Sequence, residues 1–136
     1  MGSAPLLKLL LDTHIWIWSL GEPDRRSRPA ARELRNPANE LWLSPISVWE
    51  FLLLVEKGRA TPAGGAERWL AMAFEQLPLN EAVLTHEIAR ESRRMTLSHQ
   101  DPADRFIAAT ARVMELTLVT ADERLLRSKE TRVLAG

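Results

Sequence analysis

The feature that most constrains the fold of this chain is a short apolar run near its start that ends at a carboxylate. Residues 6–11 read LLKLLL, and Asp12 follows directly. Such a run is far too short to span a membrane, and it is typical of a strand buried on both faces of a sheet. A carboxylate at the end of a buried strand is costly unless another group pairs with it. The rest of the chain has to supply that group.

Beyond this run, short apolar segments alternate with helical ones. We predict further strands at residues 41–43, 77–79, 116–119 and 132–134, and an arginine-rich loop that ends at Arg28. Predicted helices cover residues 13–20, 29–34, 45–57, 67–76, 81–94, 102–114 and 122–127. This alternation is typical of an α/β fold with a central parallel sheet flanked by helices on both faces. Asp12 and Asp122 each follow a predicted strand, where ligands of such folds bind.

The composition narrows the class of protein further. The 136 residues suit one domain, 1–136, in which residues 1–4 are a leftover of expression or a disordered end. The chain has no cysteine, which excludes a disulfide framework and thiolate metal sites and fits a cytoplasmic protein. Basic and acidic residues number 18 each, so no strongly basic surface is indicated, although arginines cluster at residues 25–28 and 90–94. No segment is predicted to cross a membrane or to act as a signal peptide.

Glu50 lies in the helical segment ISVWEFLLLVEKG. Its helical neighbours, three and four residues away, carry no charge: Ile46, Ser47, Leu53 and Leu54. Glu50 therefore lies on an apolar face, where it either extends from the rim of the helix or is buried with a partner. Burial with a partner is the favoured interpretation, because an unpaired buried glutamate is rare.

Each of the aspartates that stand out has a plain helix-stabilising interpretation, as a cap or as a first-turn acid, beside a functional one. In HQDPADR, residues 99–105, Asp101 is predicted to cap a helix, and Asp104 falls at its third position. A carboxylate there is stabilised by the helix dipole, whether or not it binds a metal. Thr120 could cap the last helix with Asp122 in its first turn, and Asp12 could cap the helix that follows it.

Taken together, these acids indicate a cation site. Four carboxylates that converge with no lysine or arginine among them repel one another, and each raises the pKa of the others. A hard divalent cation with oxygen ligands is the natural counter-charge.

The segments LLLDTHIWIW, SPISVWEF, HQDPADRFIAATA and TADERL, in this order and spacing, resemble the PIN-domain nucleases. The similarity is greatest to the VapC-type toxins of bacterial toxin–antitoxin pairs, and it covers about residues 6–134. The resemblance implies that Asp12, Glu50, Asp104 and Asp122 form an acidic metal-binding tetrad. It makes Asp101 an accessory acid or only a cap, and Thr13 and Thr120 polar neighbours of the site.

The same resemblance implies the activity and the partners. It implies an endoribonuclease that hydrolyses phosphodiester bonds of RNA with Mg²⁺ or Mn²⁺, as the toxin component of a type II toxin–antitoxin system. One or two such cations would stabilise the attacking and leaving oxygens of the phosphodiester. A homodimer and a cognate antitoxin whose tail covers the site are also implied.

Other functions are weighed against this one. A haloacid-dehalogenase-type phosphatase needs a second aspartate two residues after the first, where this chain has His14. No G-x-G-x-x-G follows the first strand, as a dinucleotide-binding module requires. A non-catalytic PIN-like domain that binds RNA or protein, and a nuclease specific for DNA or for a structure, remain as alternatives.

The histidines and tryptophans near these acids have other predicted roles. His14 and His99 are expected to support the site rather than to ligate a metal, since oxygen-only sites suit Mg²⁺ better. The tryptophans are expected to lie in the core or at a subunit interface. The exposed faces of Trp16 and Trp18 are candidates for contact with a partner.

Overall fold

The computed structural model describes residues 6–97 and 101–136. The strands are β1 (Lys8–Leu11), β2 (Glu40–Leu43), β3 (Asn80–Glu81), β4 (Thr117–Thr120) and β5 (Val133–Ala135). The helices are α1 (Thr13–Gly21), α2 (Arg28–Arg35), α3 (Pro45–Glu56), α4 (Ala66–Gln76), α5 (His86–Arg94), α6 (Pro102–Val113) and α7 (Glu123–Arg127). Within the described residues, no helix combines the length and the apolar character needed to cross a membrane.

The strands form one five-stranded sheet in the order β3-β2-β1-β4-β5, and every neighbouring pair is parallel. Parallel strands need helical connections across the faces of the sheet, which is why the chain alternates between the two. The predicted α/β fold with a central parallel sheet is confirmed.

The sheet separates two hydrophobic cores, because successive side chains of a strand point to opposite faces. Leu9 and Leu11 of β1 pack on one side with residues of α1, α2, α3 and α4. Leu10 of β1 packs on the other side with residues of α5, α6 and α7. The prediction of helices on both faces is therefore confirmed, and β1 is buried on both.

Two helix starts that position the site follow directly from local sequence. Ser44 caps α3 by accepting a hydrogen bond from the backbone N–H of Ile46 at 3.1 Å, and Pro45 takes the first helical position. Asp101 caps α6 in the same way by accepting from the N–H of Asp104 at 3.2 Å. Proline is favoured at this position because its missing N–H would have no partner there.

Two predicted elements are wrong in their positions. The strand expected at residues 77–79 lies two to three residues later, at β3, where Asn80 pairs with Trp42 of β2. The helix expected over residues 81–94 begins only at His86. Glu81 is held in the sheet, and Thr85 accepts a hydrogen bond from the Ile88 N–H at 3.2 Å as the cap of α5.

The segment predicted as an arginine-rich loop includes a short 3₁₀ turn at Pro23–Arg25.

The expectation that Trp16 presents an exposed face is also wrong. Trp16 is completely buried, and its ring lies 5.4 Å from that of Trp69 and 6.2 Å from that of Phe51. Trp18 is half-buried on the same helix. Trp49 is instead the tryptophan with a large exposed surface, at 51%.

Candidate metal centre

Asp12 lies at the carboxyl end of β1, where its backbone N–H donates to the carbonyl of Val119 in β4 at 3.0 Å. Its Oδ1 accepts from the Thr13 N–H at 2.8 Å, so that Asp12 also caps α1. Its Oδ2 accepts from the Thr120 hydroxyl at 2.7 Å. These bonds hold a buried carboxylate at the sheet edge. The prediction that Asp12 caps the following helix is confirmed.

Glu50 approaches the same edge from α3 and is half-buried. The hydroxyl of the buried Thr13 donates a hydrogen bond to Glu50 Oε1 and lies 2.9 Å from the Ser47 hydroxyl oxygen. Glu50 therefore has the partner that the favoured interpretation predicted, but it is half-buried rather than buried.

The tightest group of acids consists of Glu50, Asp101 and Asp104. One carboxylate oxygen from each lies within 4.8 Å of those of the other two. Asp101 thus caps α6, as one interpretation predicted, and its carboxylate also lies within the cluster, while its role as an accessory acid stays a prediction. Asp12 and Asp122 lie outside this compact group but close enough for their charges to act on Asp104.

Asp122 departs from the sequence-based expectation in two ways. Asp122, not Thr120, caps α7, because it accepts from the Arg124 N–H at 2.8 Å. The Arg124 guanidinium also binds the Asp122 carboxylate, with Nη2 3.1 Å from Oδ2, and reaches to 3.9 Å from Asp104 Oδ2. The prediction that no basic residue lies among the acids is therefore wrong.

Burial and mutual repulsion raise the pKa of three of these acids. Burial raises the pKa of Asp12, although hydrogen bonds from Thr120 and Thr13 partly oppose the shift. Burial also raises the pKa of Glu50, against the hydrogen bond from Thr13. For Asp104, burial and the charges of the surrounding carboxylates raise the pKa to about 7. These are the signs expected of like charges gathered without a cation.

Asp122 is the exception. Partial burial alone would raise the pKa of Asp122, but the hydrogen bonds and positive charge of Arg124 lower it below its ordinary value. The expectation that every acid has a raised pKa is wrong for this residue, because Arg124 already neutralises it.

The donor set fits a hard divalent cation. Glu50, Asp101 and Asp104 contribute only carboxylate oxygens, which Mg²⁺, Mn²⁺ and Ca²⁺ prefer to nitrogen or sulfur. Burial first, and then the charges of Asp12, Asp101, Glu50 and Asp122, raise the pKa of Asp104, and a bound cation would offset both effects. The cluster can therefore hold a cation.

Sequence reasoning missed the roles of Ser47 and Arg124. Ser47 lies three residues before Glu50, and the spacing marked it as a neighbour without assigning it a function. Arg124 follows the capping Asp122 by two residues, a spacing that lets its side chain fold back onto the cap.

His14 is exposed, and its charge lowers the pKa of Asp12. His99 lies outside the described residues.

The fold and the site together define the class: an α/β domain with a parallel sheet and a carboxylate cation site at the carboxyl edge of that sheet. A family model for the PIN domain matches residues 9–130. This chain therefore belongs to the PIN-domain family.

Individual relatives agree with this assignment. Ribonuclease VapC22 of Mycobacterium tuberculosis (strain ATCC 25618 / H37Rv) is 34% identical over 125 residues, which cover 91% of this chain and 94% of the relative. The structure of VapBC2 from Rickettsia felis bound to a promoter DNA fragment matches with a TM-score of 0.68 at 15% identity, over 94% of this chain and 98% of that one. DNA-bound VapBC from Salmonella typhimurium matches with a TM-score of 0.66 at 22% identity, over 95% and 98%. These two structures share its fold.

Proposed function

We propose that this chain is a metal-dependent endoribonuclease and the toxin of a type II toxin–antitoxin pair, acting in the cytoplasm. Its similarity to ribonuclease VapC22, which extends over 94% of that protein, supports hydrolysis of phosphodiester bonds in RNA. The VapBC structures that share its fold support a cognate antitoxin as partner. A homodimer belongs to the proposal on the basis of the resemblance.

The cation, Mg²⁺ or Mn²⁺, is held by Asp12, Glu50, Asp104 and Asp122, with Asp101 as an additional ligand. The observation that supports this most directly is the approach of three of these acids to within 4.8 Å of one another at the sheet edge. A bound divalent cation would stabilise negative charge on the phosphodiester and activate water for attack.

The surrounding residues orient the acids. Thr13 orients the Glu50 carboxylate by donating a hydrogen bond from its hydroxyl, and Thr120 does the same for Asp12. Both threonines are buried, so these orientations are set before any substrate binds. Arg124 holds Asp122 and is about half exposed, with a side-chain accessibility of 48%, so it can also meet a phosphate.

A domain that only binds RNA is the weaker alternative. Clustered carboxylates repel a phosphate backbone unless a cation lies between them, so they hinder simple binding and assist only metal-dependent chemistry. A nuclease specific for DNA uses the same acids, and a comparison of substrates separates it from a ribonuclease.

The test is cleavage of structured RNA, and of DNA of the same sequence, by the purified chain. We expect RNA to be cut with Mn²⁺ or Mg²⁺, and EDTA to stop the reaction. Glu50→Gln should abolish cleavage, because it removes one carboxylate from the cluster while keeping its shape. Glu67→Gln is the matched control, since Glu67 is exposed in the first turn of α4.

Cleavage that persists in EDTA, or that survives Glu50→Gln at the wild-type rate, would contradict the metal-dependent mechanism. Cleavage of DNA but not RNA would move the chain to the alternative nuclease class.

A further inference from the structure

Helix α2 has two chemically different faces. Ala30 and Leu34 lie on one face and are buried in the core at 0% and 8% exposure. Arg28, Arg32 and Arg35 follow the helical spacing of the opposite face, outside the core. The core therefore fixes the helix so that a row of guanidinium groups faces outward.

These arginines line a groove rather than a convex surface. Together with Arg26 and Asp24, they surround an open depression of about 630 Å³. Within residues 6–97 and 101–136, no ion pair joins Arg28, Arg32 or Arg35 to a carboxylate, so the charge of the groove is largely uncompensated.

Arg26 shows that the positive charges affect one another. Partial burial lowers the pKa of Arg26, and the positive charge of Arg35 lowers it further, against the nearby Asp24. Among the described residues, the Arg26 guanidinium donates to two neutral oxygens, those of Pro23 at 3.2 Å and Ser19 at 3.4 Å. An anion in this groove would relieve the repulsion.

The groove begins at the same sheet edge as the metal centre. Ser27, the cap of α2, donates its hydroxyl to the Ala135 carbonyl at 2.7 Å. Ala135 is the register partner of Thr120, whose hydroxyl binds Asp12. Ala135 thus lies two strand spacings, roughly 10 Å, from β1, and the cap of α2 is hydrogen-bonded to Ala135.

A row of side chains on α1 and the 3₁₀ turn after it joins the arginine groove to the acidic cluster. The His14 ring lies 5.9 Å from that of Trp18, one turn further along the helix. The guanidinium carbon of Arg25 lies 4.5 Å above the Trp18 ring. The charge of His14 acts on both Asp12 and Glu50, which places this row beside the acids. It offers planar groups on which bases can stack.

We propose that the arginine groove of α2 binds the phosphate backbone of the substrate RNA beside the scissile phosphate, with flanking bases stacked along His14, Trp18 and Arg25. The inference rests on the proposed ribonuclease function and assigns the path of its substrate.

An RNA backbone fits these features better than an acidic protein segment. The arginines repeat at about one helical turn, roughly 5.4 Å, and so present regularly spaced charges to a regularly charged polymer. The stacking groups of α1 match bases, which a peptide lacks.

The test compares two double variants by fluorescence anisotropy with a labelled single-stranded RNA of mixed sequence, in EDTA so that no cleavage occurs. Arg28→Gln with Arg32→Gln removes two groove charges. Lys8→Gln with Arg132→Gln removes two charges at the opposite, amino edge of the sheet, where β1 and β5 begin. Dissociation constants are measured over a range of KCl concentrations.

We expect the groove variant to bind about five- to tenfold more weakly. The magnitude of its slope of log affinity against log salt should fall by about 1.4, since each single-strand phosphate contact contributes about 0.7. The amino-edge variant should match the wild type. Arg28→Lys with Arg32→Lys should retain most of the slope, and equal melting temperatures exclude a folding defect.

Equal affinities and slopes for all variants would overturn the inference. A groove variant that binds RNA normally but no longer binds polyglutamate would also overturn the inference. That result would assign the groove to an acidic protein. If the wild type cleaves no RNA but the groove variant still loses RNA affinity, the proposed nuclease function fails while the groove assignment stands. If the wild type cleaves RNA and the groove variant binds and cleaves it equally well, the groove assignment fails while the nuclease function stands.

Discussion

Three acids of the metal centre also begin helices: Asp12 caps α1, Asp101 caps α6 and Asp122 caps α7. Their oxygens accept backbone N–H bonds at the positive ends of these helices, which offsets part of their repulsion. Glu50 has no such support, because it lies in the middle of α3. Its carboxylate accepts a hydrogen bond from the Thr13 hydroxyl instead.

The first prediction concerns the metal-free protein. The raised pKa values of Asp12, Glu50 and Asp104 mean that the native state holds more protons than the unfolded chain. The free energy of unfolding in EDTA should therefore fall as the pH rises. The fall should extend from the ordinary aspartate pKa of 3.8 to the raised pKa of Asp104, about 7. The slope approaches about 1.4 kcal/mol per pH unit for each extra proton held. Asp122 has the opposite sign: its lowered pKa contributes stability above the ordinary aspartate pKa, and this contribution is lost as the pH falls through the lowered pKa.

Glu50→Gln is the sharpest probe of this effect. The variant keeps an oxygen that can accept from Thr13 and removes one charge, so in EDTA at neutral pH it should melt at a higher temperature than the wild type. It should also gain less from Mn²⁺. Thermal melts of both proteins, with and without Mn²⁺, measure the difference. A variant that melts lower in EDTA and gains as much from Mn²⁺ would make Glu50 a structural residue.

At the scale of elements, a buried arginine ties α5 to α6. Arg105, only 5% exposed, donates from Nε to the Ser92 carbonyl at 2.8 Å and from Nη2 to the Met95 carbonyl at 2.7 Å. These carbonyls belong to the end of α5, where the helix has no internal donors left for them. The arginine of the DPADR segment thus anchors the helix that positions Asp104.

Arg105→Gln should destabilise the fold by about 2–4 kcal/mol, because the shorter side chain leaves buried carbonyls without donors. Arg112→Gln on the same helix is the control. The Arg112 guanidinium is about half exposed, at 47%, and pairs with Glu91 and Glu130, so its loss should cost less than about 1 kcal/mol. Urea unfolding of both variants in EDTA measures the costs, and similar values for the two would refute the anchoring role.

At the scale of the whole molecule, the sheet order places β1 and β4 side by side at the centre. Asp12 and Asp122 follow these strands, while Glu50 and Asp104 arrive on helices from opposite faces of the sheet. The acidic cluster therefore assembles only when both cores are formed, and we expect a bound cation to stabilise the entire domain.

Expression of the wild-type chain should slow bacterial growth, because cleavage of cellular RNA depletes transcripts. Glu50→Gln should not slow growth, and co-expression of the proposed cognate antitoxin should relieve the effect of the wild type. Growth curves and co-purification of the tagged chain measure both outcomes. A wild-type chain that cuts RNA in vitro but leaves growth unchanged would contradict the toxin role.

Local sequence determined most of the elements and the edge at which function lies. The apolar run before Asp12, the Ser44–Pro45 start of α3 and the Asp101–Pro102 start of α6 were all predictable, because caps and short buried strands depend on neighbouring residues. The alternation of elements required a parallel sheet, which brings Asp12 and Asp122 to its carboxyl edge. Errors of position arose where the sheet overrode local preference, as at Glu81, which pairs with β2 instead of joining α5.

Only the tertiary structure decided which side chains meet. Packing of α3 against α6 sets Asp101 in the tight cluster with Glu50, and folding of α7 brings Arg124 across two acids. Trp16 is likewise buried by helices far away in sequence, contrary to the prediction of an exposed face. Helical and strand periodicities are local properties, whereas distances between side chains of different elements depend on strand register and helix packing. The sequence by itself therefore determined the edge and the candidate acids, and the tertiary structure decided how their charges are shared.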